Sequence, residues 1–463
     1  MNAPEYLRVK SMRMDQVSFF MLMVLIALPS VVSGSIESWW EPIFESAMLM
    51  LAACSLVANN GRDWWQMPAV VTPIIGFIIF GCFQILPLWR SGNHLSAYEA
   101  ISFDPFETKR FIVKLLVVVI TLAMLSRYIV TRERLMILMN VIVIIGAFSA
   151  LCAILRLTPA GSTNDLQSGM QEGFGQFANR NHFTLLMEMS IGPTVALVYL
   201  AATRISQVLR TAALVLMVIA LLSANSRGGF LSLSVQCTLL AWIVVRAIAA
   251  KFFGTFSLAF ESSRKRLLSQ GRLILVHSVL LVFLFATVFA GFLWIGGERI
   301  RQRLETVPDE LRSHASESQT SGTRRLEIWS ATLGLIKAHP FLGSGLGAYK
   351  TAISGHFQPV NEWHPEQAHN EYLELIAGAG VVGAVLGLWF LAVIRREIKR
   401  RLSEDVFRQV VCLGGAVGLV GVAIHSLVDF GLHMMANSVI FTVLIALATF
   451  RFPPESKGAI PVA

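Results

Sequence analysis

Charge is the scarcest property of this sequence: Asp, Glu, Lys and Arg together make up 14% of its 463 residues, while 55% are hydrophobic. That balance excludes an ordinary soluble domain, whose surface needs roughly a quarter of its residues charged. Cysteine is scarce as well. All five, Cys54, Cys82, Cys152, Cys237 and Cys412, fall inside apolar runs, which excludes a disulfide framework and any cysteine-based metal spacing. The formal net charge of +9 is placed mostly at the ends of apolar runs, which argues against a nucleic-acid binder.

What the chain has in abundance is apolar runs of about 17 to 25 residues, each long enough to cross a bilayer. Reading them against charged breaks predicts spans over 17–34, 43–59, 69–86, 111–126, 135–157, 183–202, 211–224, 229–248, 273–295, 372–394, 409–428 and 435–450. The expected fold is all-α: a polytopic transmembrane helical protein of about 12 spans with one large periplasmic loop containing short amphipathic helices. The organisation reads as N-terminal transmembrane helices over 1–172, helices with outer-face Arg/His motifs over 173–296, the large loop over 297–371, C-terminal helices over 372–451 and a cytoplasmic tail over 452–463.

The basic start (Arg8, Lys10, Arg13) reads as the flank of an anchoring first helix, with a cleaved signal peptide as the alternative, and either places the start of the chain in the cytoplasm. Alternation then assigns most of the 38 Lys and Arg residues to inner segments, including Arg264-Lys265-Arg266 and Arg395 to Arg401. Trp39, Trp40, Trp64 and Trp65 fall at water interfaces as ring anchors. Gly383/Gly387 and Gly414/Gly418 are small-xxx-small pairs, read as close helix packing. Gly378-Ala-Gly380-Val-Val-Gly383 matches the dinucleotide fingerprint letter for letter, but no strand precedes it.

Chemistry is expected in the outer segments. Leu326, Trp329, Leu333 and Ile336 recur at spacings of three and four, predicting an amphipathic helix on the membrane surface that ends at His339-Pro340. Further on, Trp363-His-Pro-Glu-Gln-Ala-His369-Asn370 ends where the tenth span begins. The same side receives Arg180-Asn181-His182, Ser226-Arg227-Gly228, and His425, Asp429 and His433, so five segments converge.

Arginines suit phosphate, because the guanidinium is a rigid fork of donors that stays charged. Arg227 has a plainer reading as a side chain snorkelling to headgroups. His182, His425 and His433, taken singly, read as packing or hydrogen-bonding groups rather than as catalysts. His369 is the stronger candidate base, since it adjoins Asn370 and opens a span on the arginines' side. A zinc set of His364, Glu366 and His369 fits poorly, because the spacing is not His-Glu-x-x-His and Pro365 interrupts it.

Three segments, Arg325-Leu-Glu-Ile-Trp329, Pro340-Phe-Leu-Gly343-Ser-Gly345 and His369-Asn-Glu-Tyr-Leu-Glu374, resemble the O-antigen ligase domain. Gly175-Gln-Phe-Ala-Asn-Arg-Asn-His182, Ser226-Arg-Gly228 and His425-Ser-Leu-Val-Asp429-Phe are also similar to motifs of the O-antigen ligase and polysaccharide polymerase superfamily. The first 170 residues resemble it only as a series of spans.

The resemblance implies a multi-pass protein of the bacterial inner membrane with its active site facing the periplasm. It implies metal-independent, inverting transfer of a glycan from an undecaprenyl pyrophosphate donor to a hydroxyl of a glycan or lipid A-core acceptor. The expected partners are those substrates and membrane lipids, with no nucleic acid, cofactor or metal. Carried over, His369 activates the acceptor, Arg227, Arg325 and Arg180 hold the pyrophosphate, and Asn370, His182 and Asp429 support them.

The sequence has no Asp-x-Asp motif, which suits a lipid donor better than a metal-bound nucleotide sugar. It ends soon after the twelfth span, without the soluble extension many protein O-oligosaccharyltransferases carry, so polymerase and ligase remain open. The rival reading is a transporter or flippase of lipid-linked sugars. That rival predicts charges near the bilayer midplane and an internal repeat.

Overall fold

The computed structural model describes residues 3–31, 40–58, 67–87, 89–90, 98–156, 174–256, 321–357 and 365–451. The described part is helical apart from a two-residue antiparallel ladder, Trp89–Arg90 with Tyr98–Glu99. In chain order the helices are α1 (Ala3–Val31), α2 (Trp40–Ala58), α3 (Val71–Gln84), α4 (Pro105–Tyr128), α5 (Arg132–Arg156), α6 (Arg180–Tyr199), α7 (Arg204–Ser223) and α8 (Arg227–Phe256). They continue with α9 (Ser321–Ala338), α10 (Tyr349–Ile353), α11 (Glu371–Arg401), α12 (Val406–His425) and α13 (Met435–Thr449), with a 3-10 turn at Gly431–His433.

Eleven of the twelve predicted spans fall on described helices, and the ninth, 273–295, lies outside the described residues. Among the described residues eight helices are long and apolar enough to cross a membrane: the Met14–Val31 stretch of α1, then α2, α4, α5, α7, the Arg227–Arg246 stretch of α8, α11 and α12. Val71–Gln84 and Met435–Thr449 are apolar but shorter, and α6, which carries Glu188, is not among the eight. The expected borders near 172 and 297 also lie outside the described residues, and the helix after the expected loop starts at Glu371.

Helices run past the apolar stretches into flanking charge because capping groups hold their ends. Asp104 accepts from Phe106 N and Glu107 N, with Pro105 in the first turn, so α4 begins six residues before its predicted span. Thr203 and Ser206 form a reciprocal capping box on α7. Lys114, which the sequence leaves inside a span, pairs with Glu41 of α2 at 2.8 Å. At the opposite end Glu397, Arg401, Glu404 and Arg408 link α11 to the start of α12.

The core is apolar and tightly packed around α12, which lies against α6, α8 and α13. A methyl group at Gly192 of α6 would overlap the Gly414 carbonyl, and one at Gly418 would strike Leu444 of α13, so these glycines permit close helix approach as expected for Gly414/Gly418. Gly383 and Gly387 instead face Ala379 and Leu375 of their own helix. By contrast α7 turns Ile205, Val208, Leu209 and Val215 outward, as a lipid-facing helix does.

Two sequence expectations change. The predicted apolar face of α9 is rotated: Ile328 and Leu335 are buried at 1% and 0% exposure, while Leu326 and Leu333 stand out at 64% and 48%. Trp329 and Ile336 border the buried side, because the helix packs against Tyr349, Ile353 and Ala377 rather than lying on lipid by one face alone. The glycine run at 378–383 is where α11 breaks. Gly380 has φ +58°, and the segment Pro340–Leu346 docks on the break through Ser344 N to Ala377 O, Gly345 N to Gly378 O and Val381 N to Pro340 O. A Cβ at Gly380 would strike the Phe341 backbone.

Candidate active site

One end of the bundle gathers the starts of α6, α8 and α11, the end of α12 and the flank of α9. The link between them is largely backbone-mediated. Asn370 caps α11 by accepting from Tyr372 N and Leu373 N at 3.0 Å, and its own amide donates to Leu427 O at 2.9 Å. Glu371 N donates to Ser426 O at 3.0 Å, and Trp329 Nε1 of α9 donates to Ala368 O at 2.9 Å. The loop carrying His369 is thus fixed to both the turn after α12 and the helix carrying Arg325.

Asp429, buried at 1% exposure, is the centre of this region. Its Oδ1 lies 3.5 Å from His369 Nδ1 and 3.9 Å from an Arg325 terminal nitrogen. Its Oδ2 lies 3.6 Å from His182 Nε2 and 3.8 Å from His425 Nε2. The Asn181 amide approaches Oδ1 at 3.5 Å. Burial by itself pushes the Asp429 carboxyl up, but the facing imidazoles of His369, His425 and His182 pull it well below the usual carboxylate range. It is therefore a carboxylate, able to hold an imidazole and to stabilise the cation that forms when that imidazole takes a proton.

His369 has φ +51°, an unusual left-handed backbone for a side chain with a Cβ. Such strain persists where surroundings over-determine it, which often marks a working group. Its ring meets the edge of Phe430 at 4.7 Å between centroids, and His182 meets the same ring at 4.9 Å. Next to them His433 Nε2 lies 3.4 Å from both Glu371 and Glu374. Although burial lowers the affinity of His433 for its proton, these two carboxylates push it up to about 9.

Arg227 is the first residue of α8. It is exposed and makes no hydrogen bond or ion pair with the described residues. Its turn, however, is tied to the cluster: Ser226 Oγ donates to Asn181 Oδ1 at 2.8 Å and accepts from Gly229 N, and Asn225 has φ +51°. A Cβ at Gly228 would lie 3.4 Å from the His425 ring. Arg180 opens α6 half-buried, one residue after the Asn179 cap.

Of the residues singled out in the sequence, His369, Arg325, His182 and Asp429 come together directly, and Asn370 holds their loop. Arg227 and Arg180 reach the same end on adjoining turns. Glu366 pairs instead with Lys350, and His364 lies outside the described residues.

Sequence reasoning quoted Asn181 and Ser226 within their motifs without giving them a role, and it passed over Glu188. Glu188, a lone carboxylate two turns into an otherwise apolar helix, was the available signal.

No curated protein matches the chain. The O-antigen ligase family model matches residues 212–388, a stretch that takes in Arg227, Arg325, His369 and Asn370, so the likeness to O-antigen ligases read from the motifs is shown over that part of this multi-helix membrane protein.

Proposed function

We propose that this membrane glycan transferase of the O-antigen ligase and polymerase type moves a glycan from undecaprenyl pyrophosphate to an acceptor hydroxyl on the periplasmic face of the inner membrane. The observation that carries the reading is the buried Asp429 carboxylate facing His369 Nδ1 at 3.5 Å, with Arg325 on the same oxygen at 3.9 Å. A carboxylate on Nδ1 holds the imidazole so that Nε2 is free to accept a proton. Catalytic hydrogen bonds are often loose before substrate arrives, so 3.5 Å suits a resting site.

In the reaction the acceptor oxygen attacks the anomeric carbon from the face opposite the leaving group. Its proton passes to His369 Nε2, the bond from the anomeric carbon to the phosphate oxygen breaks, and the electron pair leaves on undecaprenyl pyrophosphate. One displacement inverts the anomeric centre. Arg227 and Arg325, with Arg180 as a third cation, meet the charge that grows on the departing pyrophosphate, and this removes the need for a metal ion. Asp429 stabilises the imidazolium, while His182 and Asn370 hold the cluster in register.

The deciding experiment is analysis of surface glycan and carrier-linked intermediates in a strain lacking the protein. Long polymer stranded on the carrier assigns a ligase, and single repeats assign a polymerase. Unchanged surface glycan and an unchanged carrier pool would overturn the proposal.

A further inference from the structure

Behind the cluster lies a polar pair that the proposed reaction does not use. Glu188 and His425 are buried at 0% and 1% exposure, and Glu188 Oε1 lies 2.8 Å from His425 Nδ1. Across the ring, His425 Nε2 faces Asp429 Oδ2 at 3.8 Å. A carboxylate in an apolar helix interior is costly to keep unless it is paired and used. Helix packing has no need of it, since the neighbouring positions of α6 are filled by Leu185, Leu186, Met187 and Met189.

We propose that Glu188 and His425 are a proton-sharing pair that positions Asp429, and through Asp429 sets the basicity of His369; this rests on the reading of His369 as the base. At 2.8 Å one proton lies between Glu188 Oε1 and His425 Nδ1, whichever atom carries it. If it is on a ring that also carries a hydrogen on Nε2, His425 is a cation held by a carboxylate. If it is on Glu188, the ring is neutral and Nδ1 accepts. A neutral ring with its hydrogen on Nδ1 would turn the bare Nε2 lone pair toward the Asp429 carboxylate at 3.8 Å, so that facing charge favours the two states in which Nε2 carries a hydrogen directed at Oδ2 and the pair as a whole is neutral. The pair therefore offers Asp429 a donor without adding net charge. That leaves Oδ1 for His369 and keeps the carboxylate from rotating away from it.

The charged and titratable groups around this relay are few. Asp429 is faced by His182 from α6, Arg325 from α9, His369 from the loop before α11 and His425 from α12. His433, Glu371 and Glu374 form the adjoining group. Glu188 is faced by His425, and α8 brings the uncharged Ser232 and Gln236 alongside, both bonded to backbone carbonyls. No other charge among the described residues touches the pair.

The test uses purified full-length protein with a carrier-linked glycan and acceptor, comparing His425→Gln and Glu188→Gln with wild type for kcat, KM and the pH dependence of kcat. In His425→Gln the amide is too short to bridge both carboxylates, so Asp429 loses the His425 donor, keeps His182 on Oδ2, and directs more of its charge to His369. The expected result is a kcat about tenfold lower, an unchanged KM for the donor, and an acid limb moved to higher pH, because a base facing a stronger carboxylate holds its proton more tightly. Glu188→Gln is nearly isosteric. Its amide can donate to a neutral His425 but cannot support a charged one, so it should keep most of the kcat and show a smaller shift in the same direction.

Folded protein with a wild-type acid limb in both variants overturns the proposal, as does a rise in donor KM without any change in pH profile. If His425→Gln fails to fold, the Glu188→Gln profile decides by itself. The His369→Ala variant separates the two levels of argument: normal transfer by that variant removes the catalytic reading itself, whereas its inactivity beside unchanged His425→Gln and Glu188→Gln profiles removes only the positioning role.

Discussion

Gln84 at the end of α3 and Gly378 in α11 are 294 residues apart in sequence, yet the Gln84 amide donates to the Gly378 carbonyl at 2.9 Å. The same amide donates to Leu342 O at 2.7 Å, and Gln84 Oε1 accepts from Leu346 N at 3.0 Å. Where α11 breaks at Gly380, backbone groups lose their helical partners, and away from water each must find another. One buried side chain serves three backbone groups here, Gly378 O at the break and Leu342 O and Leu346 N on the segment docked against it.

Gln84→Ala should therefore be among the most damaging substitutions outside the cluster, at about 1–3 kcal/mol for each backbone group left unpaired. Gln84→Glu should do no better, since a carboxylate cannot donate to two carbonyls. Thermal unfolding in detergent measures both. A midpoint in Gln84→Ala equal to wild type would show that water, rather than Gln84, serves the break.

His369→Ala should abolish glycan transfer, by about 10²–10⁴-fold if the ring is a general base, with donor binding and membrane insertion retained. His369→Asn is a useful companion, since Asn tolerates the φ of +51° better than most residues but is no base. Near-normal product from either variant would remove His369 from the chemistry.

How much of this was legible follows from what each residue answers to. Helix existence depends on local apolar runs, so eleven predicted spans have their helices. The α9 face was misread because Leu326 and Leu333 fit the helical period but face outward, whereas Thr332, buried with its hydroxyl near Tyr349, interrupts the apolar pattern on the packed side. His369, Arg325 and Asp429 stood out because they lie in motifs. Gln84 and the Ser226–Asn181 link did not, since their partners are distant or are carbonyls, which leave no mark on residue type. Glu188 was visible as an oddity, but only the fold shows that it faces His425.

His433 gives a prediction with a definite sign. Its protonated form is favoured in the folded protein by Glu374 and Glu371 against burial, to about 9 from an ordinary value of 6.5. A raised folded value means the stabilisation is fully present below about 6.5 and is lost as pH rises through about 9. The unfolding midpoint of wild type should therefore fall between pH 7 and 10 more steeply than that of His433→Gln, and the two should differ most near neutral pH. Parallel curves would show that the histidine is neutral in the fold.

The last prediction concerns Arg227 and Arg325, which come from helices separated in sequence by about a hundred residues and reach the same end of the bundle in different states. Arg325 already has a partner in Asp429 at 3.9 Å, while Arg227 is exposed and without a partner among the described residues. A diphosphate carries more charge than one guanidinium can match, so a site for it should draw on both. Arg227→Lys keeps the charge and loses the bidentate fork. If Arg227 binds phosphate, that variant should already be strongly impaired in donor binding and turnover, whereas an arginine that only snorkels to headgroups would tolerate lysine. Arg325→Lys should also be impaired. Because both residues act on one ligand, the double variant should lose less than the product of the single losses. Strictly multiplicative losses would place them on separate tasks, and full activity in both single variants would return them to a structural role.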